Sequence, residues 1–136
     1  MLRSKLVTDY MTPLSRLIVF YPEQSILEAI SLLIKHKISG GPVVNKYNEL
    51  IGMISEKDCL RVLVDSLYNE MPPGKVEDYM SKSLEVVRSD QSILQVAEKF
   101  LATPFKRFPV VDQDGNLLGQ ISRADVLRAT NDIPMH

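Results

Sequence analysis

The chain has 136 residues, 45% of them hydrophobic and 24% charged, with 16 basic and 17 acidic side chains and a formal net charge of -1. That length suits one domain or two very small ones with a modest core shared by both halves, and the composition excludes a disordered chain. Scattered, balanced charge excludes the basic footprint of a nucleic-acid binder, the single Cys59 excludes an internal disulfide framework, and His36 and His136 are too few for a histidine-rich metal cluster. No apolar run approaches the roughly eighteen residues of a membrane span, and Asp9 falls where a signal peptide would carry its apolar region, so a cytoplasmic protein with no membrane association is expected.

In chain order, the opening VTDYM at 7 to 11 is followed by Leu17 to Phe20, a short apolar run that reads as a strand. Ser25 and Glu28 then have capping-box spacing. Behind them Ile26, Leu27, Ile30, Leu33, Ile34 and Ile38 give one apolar helix face, which Ser39-Gly40-Gly41 ends. PVVN, the turn KYNE and LIGMIS predict a hairpin, and SEKDCLRVLVDSL predicts a helix with Leu60, Leu63, Val64 and Leu67 as its apolar stripe. NEMPPGK, residues 69 to 75, interrupts the pattern with two prolines and a glycine.

The chain then repeats itself. VEDYM at 76 to 80 returns VTDYM at an offset of 69. Every later match is offset by 67, placing two extra residues after Met11, within TPLSR. Leu84 to Val87 reads as the second leading strand. Ser92 with Gln95 is the second capping box, and Ile93, Leu94, Ala97, Phe100 and Leu101 mark a helix that stops near Pro104. PVVD, QDGN and LLGQIS give the second hairpin, and SRADVLRA the last helix. Gly52 and Gly119 stand inside the later strand of each hairpin, where a missing side chain implies a bend or a close approach. The predicted architecture is α/β, two β-α-β-β-α repeats at 1-68 and 76-136 joined by a linker at 69-75. Each is marginal alone, and the two pack about a pseudo-twofold axis.

S-x-x-D recurs at Ser55 with Asp58 and at Ser122 with Asp125. Taken alone it is a helix start, with serine as cap and aspartate in the first turn. A carboxylate has two acceptor oxygens, so one can serve the helix and the other a ligand. The repeats differ in charge around this pair: Lys106, Arg107 and Arg123 in the second stand where Ser39, Gly40 and Glu56 stand in the first, although Lys57 partly offsets Glu56. Guanidinium groups grip phosphate oxygens and carboxylates repel them, so a phosphate-bearing ligand, if the chain takes one, would favour the second repeat. Cys59 matches Val126 and reads as a small buried thiol. His36, near a helix end, reads as a partner for helix carbonyls, and Tyr10 and Tyr79 as equivalent packing residues. No nucleophile elbow, phosphate loop or H-E-x-x-H pair occurs, so no catalytic or metal residue is assigned and no enzyme is expected.

VTDYMTP and VEDYMSK resemble the repeat openings of the tandem CBS module, the pair of cystathionine-beta-synthase-type repeats. PVVNKYNELIGMISEKDCL and PVVDQDGNLLGQISRADVL resemble its hairpin and last helix. The resemblance spans roughly residues 5 to 130. It implies a regulatory sensor that binds an adenosine-containing ligand (AMP, ADP, ATP or S-adenosylmethionine) in the groove between repeats. Ser55, Asp58, Ser122 and Asp125 would stand at ribose or phosphate, and backbone of Gly41, Pro42, Val43, Phe108, Pro109 and Val110 at adenine. No cofactor is required. The resemblance also implies a homodimer of CBS pairs and an unidentified regulated protein. The alternative is a ligand-independent structural or adaptor protein acting through self-association and protein contacts.

Overall fold

The alternating runs after each PVV form two antiparallel hairpins in the computed structural model, which describes residues 5–134. In chain order the elements are β1 (Thr12–Pro13), α1 (Ile26–His36), β2 (Gly40–Val44), β3 (Leu50–Ser55), α2 (Glu56–Tyr68), α3 (Val76–Tyr79), β4 (Val87–Arg88), α4 (Ile93–Ala102), β5 (Arg107–Val111), β6 (Leu117–Ser122) and α5 (Arg123–Leu127). Single 3-10 turns occupy Val7–Asp9, Leu14–Arg16 and Arg128–Asp132. Among the described residues no helix is long and apolar enough to cross a membrane.

Both hairpins turn by the same chemistry. The side-chain oxygen of Asn45 accepts the amides of Tyr47 and Glu49 at 2.9 and 3.0 Å, and that of Asp112 accepts those of Asp114 and Asn116, both at 2.9 Å. Each loop needs one left-handed residue, supplied by Asn48 (φ 66°) and Gly115 (φ 84°). Both ladders also shift register at matching points, Val43/Val44 and Val110/Val111.

The chain divides into two compact units whose boundaries differ from those of the sequence repeats. Residues 18–84 form one, and residues 5–17 with 85–134 form the other. Each repeat opening therefore belongs to the unit built around the other repeat's hairpin. In the first-repeat unit, residues 18–84, Val76 of the VEDYM segment is fully buried with Phe20, Ile26, Ala29, Leu33, Val43, Ile54, Cys59 and Val62. In the second-repeat unit, Val7 of VTDYM is fully buried with Val87, Ile93, Val96, Phe100, Phe108, Val110 and Ile121. Among the described residues each unit has its own core cluster, completed by an opening valine, where one modest core for the chain was expected.

Sheet order follows the same plan in both units. The second-repeat unit has β1-β6-β5-β4, with β4 parallel to β5. In the first-repeat unit β2 and β3 are flanked by single bridges, Phe20 to Val43 and Met53 to Ser81. The expected leading strands shorten accordingly: only Phe20 bridges in the first, and only Val87 and Arg88 pair in the second. The close approach expected at the strand glycines comes from the openings. A Cβ on Gly52 would lie 2.5 Å from Met80 Sδ, and one on Gly119 would press on the Thr12 carbonyl and lie 2.8 Å from Met11 Sδ.

One expected cap does not form. Ser92 Oγ accepts the Gln95 amide at 3.1 Å and Gln95 Oε1 accepts the Ser92 amide at 2.9 Å, closing that box. Ser25 makes no side-chain cap. The Gly74 carbonyl takes the Ile26 amide at 3.0 Å beside the Ser25–Lys75 bridge, just as the Lys5 carbonyl takes the Ile93 amide at 2.9 Å beside the Leu6–Ser92 bridge, so backbone serves both helix starts and only Ser92 adds a side-chain cap. The stripe predicted on α2 faces outward: Cys59 and Val62 are buried, while Leu60, Leu63, Val64 and Leu67 are exposed.

Candidate functional site

Ser55 and Ser122 end their hairpins and begin the next helix, so one residue closes the ladder and opens the helical turn. In the second-repeat unit the Asp125 amide donates to Ser122 Oγ at 3.1 Å and the Ser122 amide donates to Asp125 Oδ2 at 2.8 Å. In the first-repeat unit the Asp58 amide donates to Ser55 Oγ at 3.1 Å, and Asp58 Oδ2 accepts from the Ser55 amide at 3.0 Å and from its hydroxyl at 2.9 Å. Both pairs are reciprocal capping boxes. Asp125 is the one charged residue among the described residues that is buried, at 8% exposure.

The remaining carboxylate oxygen is also engaged. Arg128 Nη1 donates to Asp125 Oδ1 at 2.6 Å, and Arg61 Nη2 donates to Asp58 Oδ1 at 2.9 Å. The recurrence of Arg61 as Arg128 was visible in the sequence, but its role was not, because the contact that completes it comes from a remote opening. Arg128 Nη2 reaches the Tyr10 carbonyl at 2.8 Å and Arg61 Nη2 the Tyr79 carbonyl at 2.9 Å. The two tyrosine hydroxyls donate in turn to Asp132 and Asp65. Through its bond to Asp132 the Tyr10 hydroxyl is pushed up to about 12, and burial, followed by the bond to Asp65, raises that of Tyr79.

The basic residues of the second repeat come together at the same end of β5, β6 and α5. Arg107 pairs across the ladder with Ser122, and the Arg123 amide donates to the Lys106 carbonyl at 3.1 Å. Arg123 Nε is held by the Phe105 carbonyl at 3.1 Å, which uses one of the guanidinium's five donors. In the first-repeat unit Gly40 pairs with Ser55, and the Glu56 amide donates to the Ser39 carbonyl at 2.9 Å. The two frames match while their charges differ.

Gly41, Pro42 and Val43 lie buried in β2, and Phe108, Pro109 and Val110 buried in β5. The Phe108 ring is in the core, 4.6 Å between centroids from Phe100 and with Lys99 Nζ 4.9 Å from its centre, so only backbone there is open to an assignment as a base reader. The Pro42 carbonyl already accepts the Phe20 amide at 2.9 Å. Cys59 is a buried thiol pushed up by desolvation, then by Asp58 and Glu56. His36 ends α1 and is exposed. Among the described residues no group of three or more His, Cys, Asp or Glu could hold a metal ion.

Paired β-α-β-β-α units with a capped S-x-x-D at each hairpin-helix junction define a tandem-repeat module of the CBS type. The chain belongs to the CBS-domain family: that family's model matches residues 7–65 and 76–132. CBSX2, a chloroplastic CBS domain-containing protein of Arabidopsis thaliana, is 35% identical over 90% of this chain and 62% of its own length. The uncharacterized protein MJ1426 of Methanocaldococcus jannaschii is 31% identical over 82% of this chain and 84% of its own. The solved structure of CBSX2 in complex with AMP superposes with TM-score 0.82 at 35% identity, over 95% of this chain and 98% of that one. The CBS domain pair of MJ0100, in complex with 5′-methylthioadenosine and S-adenosyl-L-methionine, superposes with TM-score 0.73 at 26% identity over 94% and 97%.

Proposed function

We propose that this chain is a non-catalytic regulatory module that binds an adenosine-containing ligand and thereby alters how it meets another protein. The observation that carries the reading is the convergence of Ser122, Asp125, Lys106, Arg107 and Arg123 at one end of a hairpin. CBSX2 and the MJ0100 pair, which superpose on nearly the whole chain, are each described in complex with adenosine compounds. In this reading Asp125 accepts from ribose hydroxyls and the basic side chains take phosphate. Main chain of Gly41 to Val43 and of Phe108 to Val110 faces the base. Asp58 and Ser55 form the weaker phosphate site, with Glu56 in the place of Arg123.

Calorimetry against AMP, ADP, ATP and S-adenosylmethionine tests this. Arg107→Ala lowers AMP affinity about tenfold, the size of one charge-assisted hydrogen bond, and spares adenosine. Asp125→Ala weakens both compounds. Loss of all binding in Asp58→Ala with none in Asp125→Ala overturns the site assignment.

The second reading is a ligand-independent adaptor. It is favoured by the engagement of both oxygens of each aspartate within its own unit. Self-association belongs to either reading: Leu27 and Ile34 on α1 and Leu60, Leu63 and Leu67 on α2 are exposed, which suits an interface between copies. Absence of heat or stabilisation with the whole panel, together with a mass above that of one chain in sedimentation, selects the adaptor.

A further inference from the structure

Each serine-aspartate pair is wired to a repeat opening by one arginine. Arg128 joins Asp125 Oδ1 to the carbonyl of Tyr10, a residue 118 positions away in sequence. Arg61 joins Asp58 Oδ1 to the carbonyl of Tyr79. The same tyrosines are held a second time through their hydroxyls, by Asp132 and Asp65. The whole constellation is duplicated: Asp58, Arg61 and Asp65 return 67 residues later as Asp125, Arg128 and Asp132, and Tyr10 returns 69 residues later as Tyr79.

A surface Arg-Asp pair three apart on a helix is ordinarily worth little. These pairs differ from that case in two respects. The aspartate side chains are only 18% and 11% exposed, and the guanidinium also reaches main chain of a remote segment. A planar guanidinium presents a fixed fork that holds both acceptors at once, whereas a lysine ammonium is a point charge on a flexible stem.

We propose that Arg61 and Arg128 are positioning residues that couple ligand at the serine-aspartate pairs to the hold on the repeat openings. The proposal rests on the adenosine-ligand reading above. A ribose hydroxyl donating to a free lone pair of Asp125 fixes the carboxylate in the orientation that Arg128 needs. Arg128, held in turn, fixes the carbonyl of Tyr10. Ligand at Asp125 therefore tightens residues 7–11, and ligand at Asp58 tightens residues 76–80. By linkage, a tightened opening raises ligand affinity by the same factor. The opening is thus the part of each unit through which occupancy is reported outward.

Hydrogen exchange on the full chain, with AMP as the probe, decides it. The Tyr10 and Met11 amides, both bonded to the Val7 carbonyl, report on one opening, and the Met80 amide, bonded to the Val76 carbonyl, on the other. Saturating AMP slows Tyr10 and Met11 exchange about tenfold, within the ordinary range of coupling between sites. Arg128→Lys loses that slowing and, by the same linkage, lowers AMP affinity by up to about tenfold, while Arg61→Lys leaves the slowing in place. AMP binding without slowing, or slowing that survives Arg128→Lys, overturns the coupling. Failure of the unaltered chain to bind AMP defeats the functional reading instead, and the ligand-free arm then judges the wiring alone. Arg128→Met must by itself speed exchange at Tyr10 and Met11 and spare Met80; if it does not, the wiring falls too.

Discussion

Shortening Val76 to alanine tests the exchange of openings directly. Val76 lies in the second sequence repeat, yet it is fully buried in the core of residues 18–84. The substitution removes two buried carbons at about 0.8 kcal/mol each, or about 1.6 kcal/mol of transfer free energy. The unfilled cavity brings the cost to roughly 2 to 3 kcal/mol. That corresponds to a rise of roughly 30- to 150-fold in the opening equilibrium of the affected unit. Native-state hydrogen exchange reads this residue by residue. Protection falls in α1, β2 and β3, although they belong to the other sequence repeat, and persists in α4, β5 and β6. Val7→Ala, its counterpart in the second-repeat core, gives the mirror pattern. Equal loosening of both units, or loosening of α4, β5 and β6 by Val76→Ala, refutes the assignment of openings to units.

Three further predictions follow from local geometry. Ser92→Ala lowers stability by about 1 kcal/mol in urea titration, the usual worth of a side-chain cap, whereas Ser25→Ala changes it by less than about 0.5 because the Ser25 side chain makes no cap. Gly119→Ala destabilises more than Gly52→Ala in thermal melts, since the new methyl meets the Thr12 carbonyl in one case and the movable Met80 side chain in the other. Spectrophotometric titration finds a tyrosine with its midpoint at about 12 that disappears in Tyr10→Phe. Because folding raises this group above its ordinary value of 10.0, the unfolded chain releases the proton first. The Tyr10 contribution to stability is therefore complete below pH 10 and is lost as pH climbs towards 12.

Recurrence made most of the fold legible. Matching residues at a constant offset located both hairpins, both long helices and both serine-aspartate pairs, and turn chemistry placed the loops at Asn45 and Asp112. The unit to which each opening belongs was not legible, because VTDYM and VEDYM are alike and nothing within five residues states which core receives the valine. The Ser25 cap was not legible either: Ser25 and Ser92 share a spacing and each has a remote segment bridging beside it, yet only Ser92 closes a side-chain cap. Helical periodicity found the apolar stripes of α1 and α2 but could not say that Ile34 and Leu67 would be 73% and 74% exposed, because spacing defines a face without defining what covers it. At the candidate site the recurring Asp58, Arg61, Asp125 and Arg128 were all in view. Their wiring was hidden because its last bond leaves the helix for a remote opening, 18 positions away from Arg61 and 118 from Arg128.

The exchange also sets an order of events at the ribosome. Residues 18–84 are contiguous, so that unit has every strand, helix and opening it needs once its own last residue has emerged. Residues 5–17 have no such partner when they emerge. Val7 donates its amide to the Gln91 carbonyl, Thr12 pairs with Gln120, and Tyr10 waits for Arg128. During synthesis the segment at 5–17 stays undocked until Gln91, Gln120 and Arg128 have appeared. Closing it then joins residues as many as 118 positions apart, the kind of contact that slows folding. A nascent chain stalled near residue 90 would carry one finished unit and one unpartnered apolar opening.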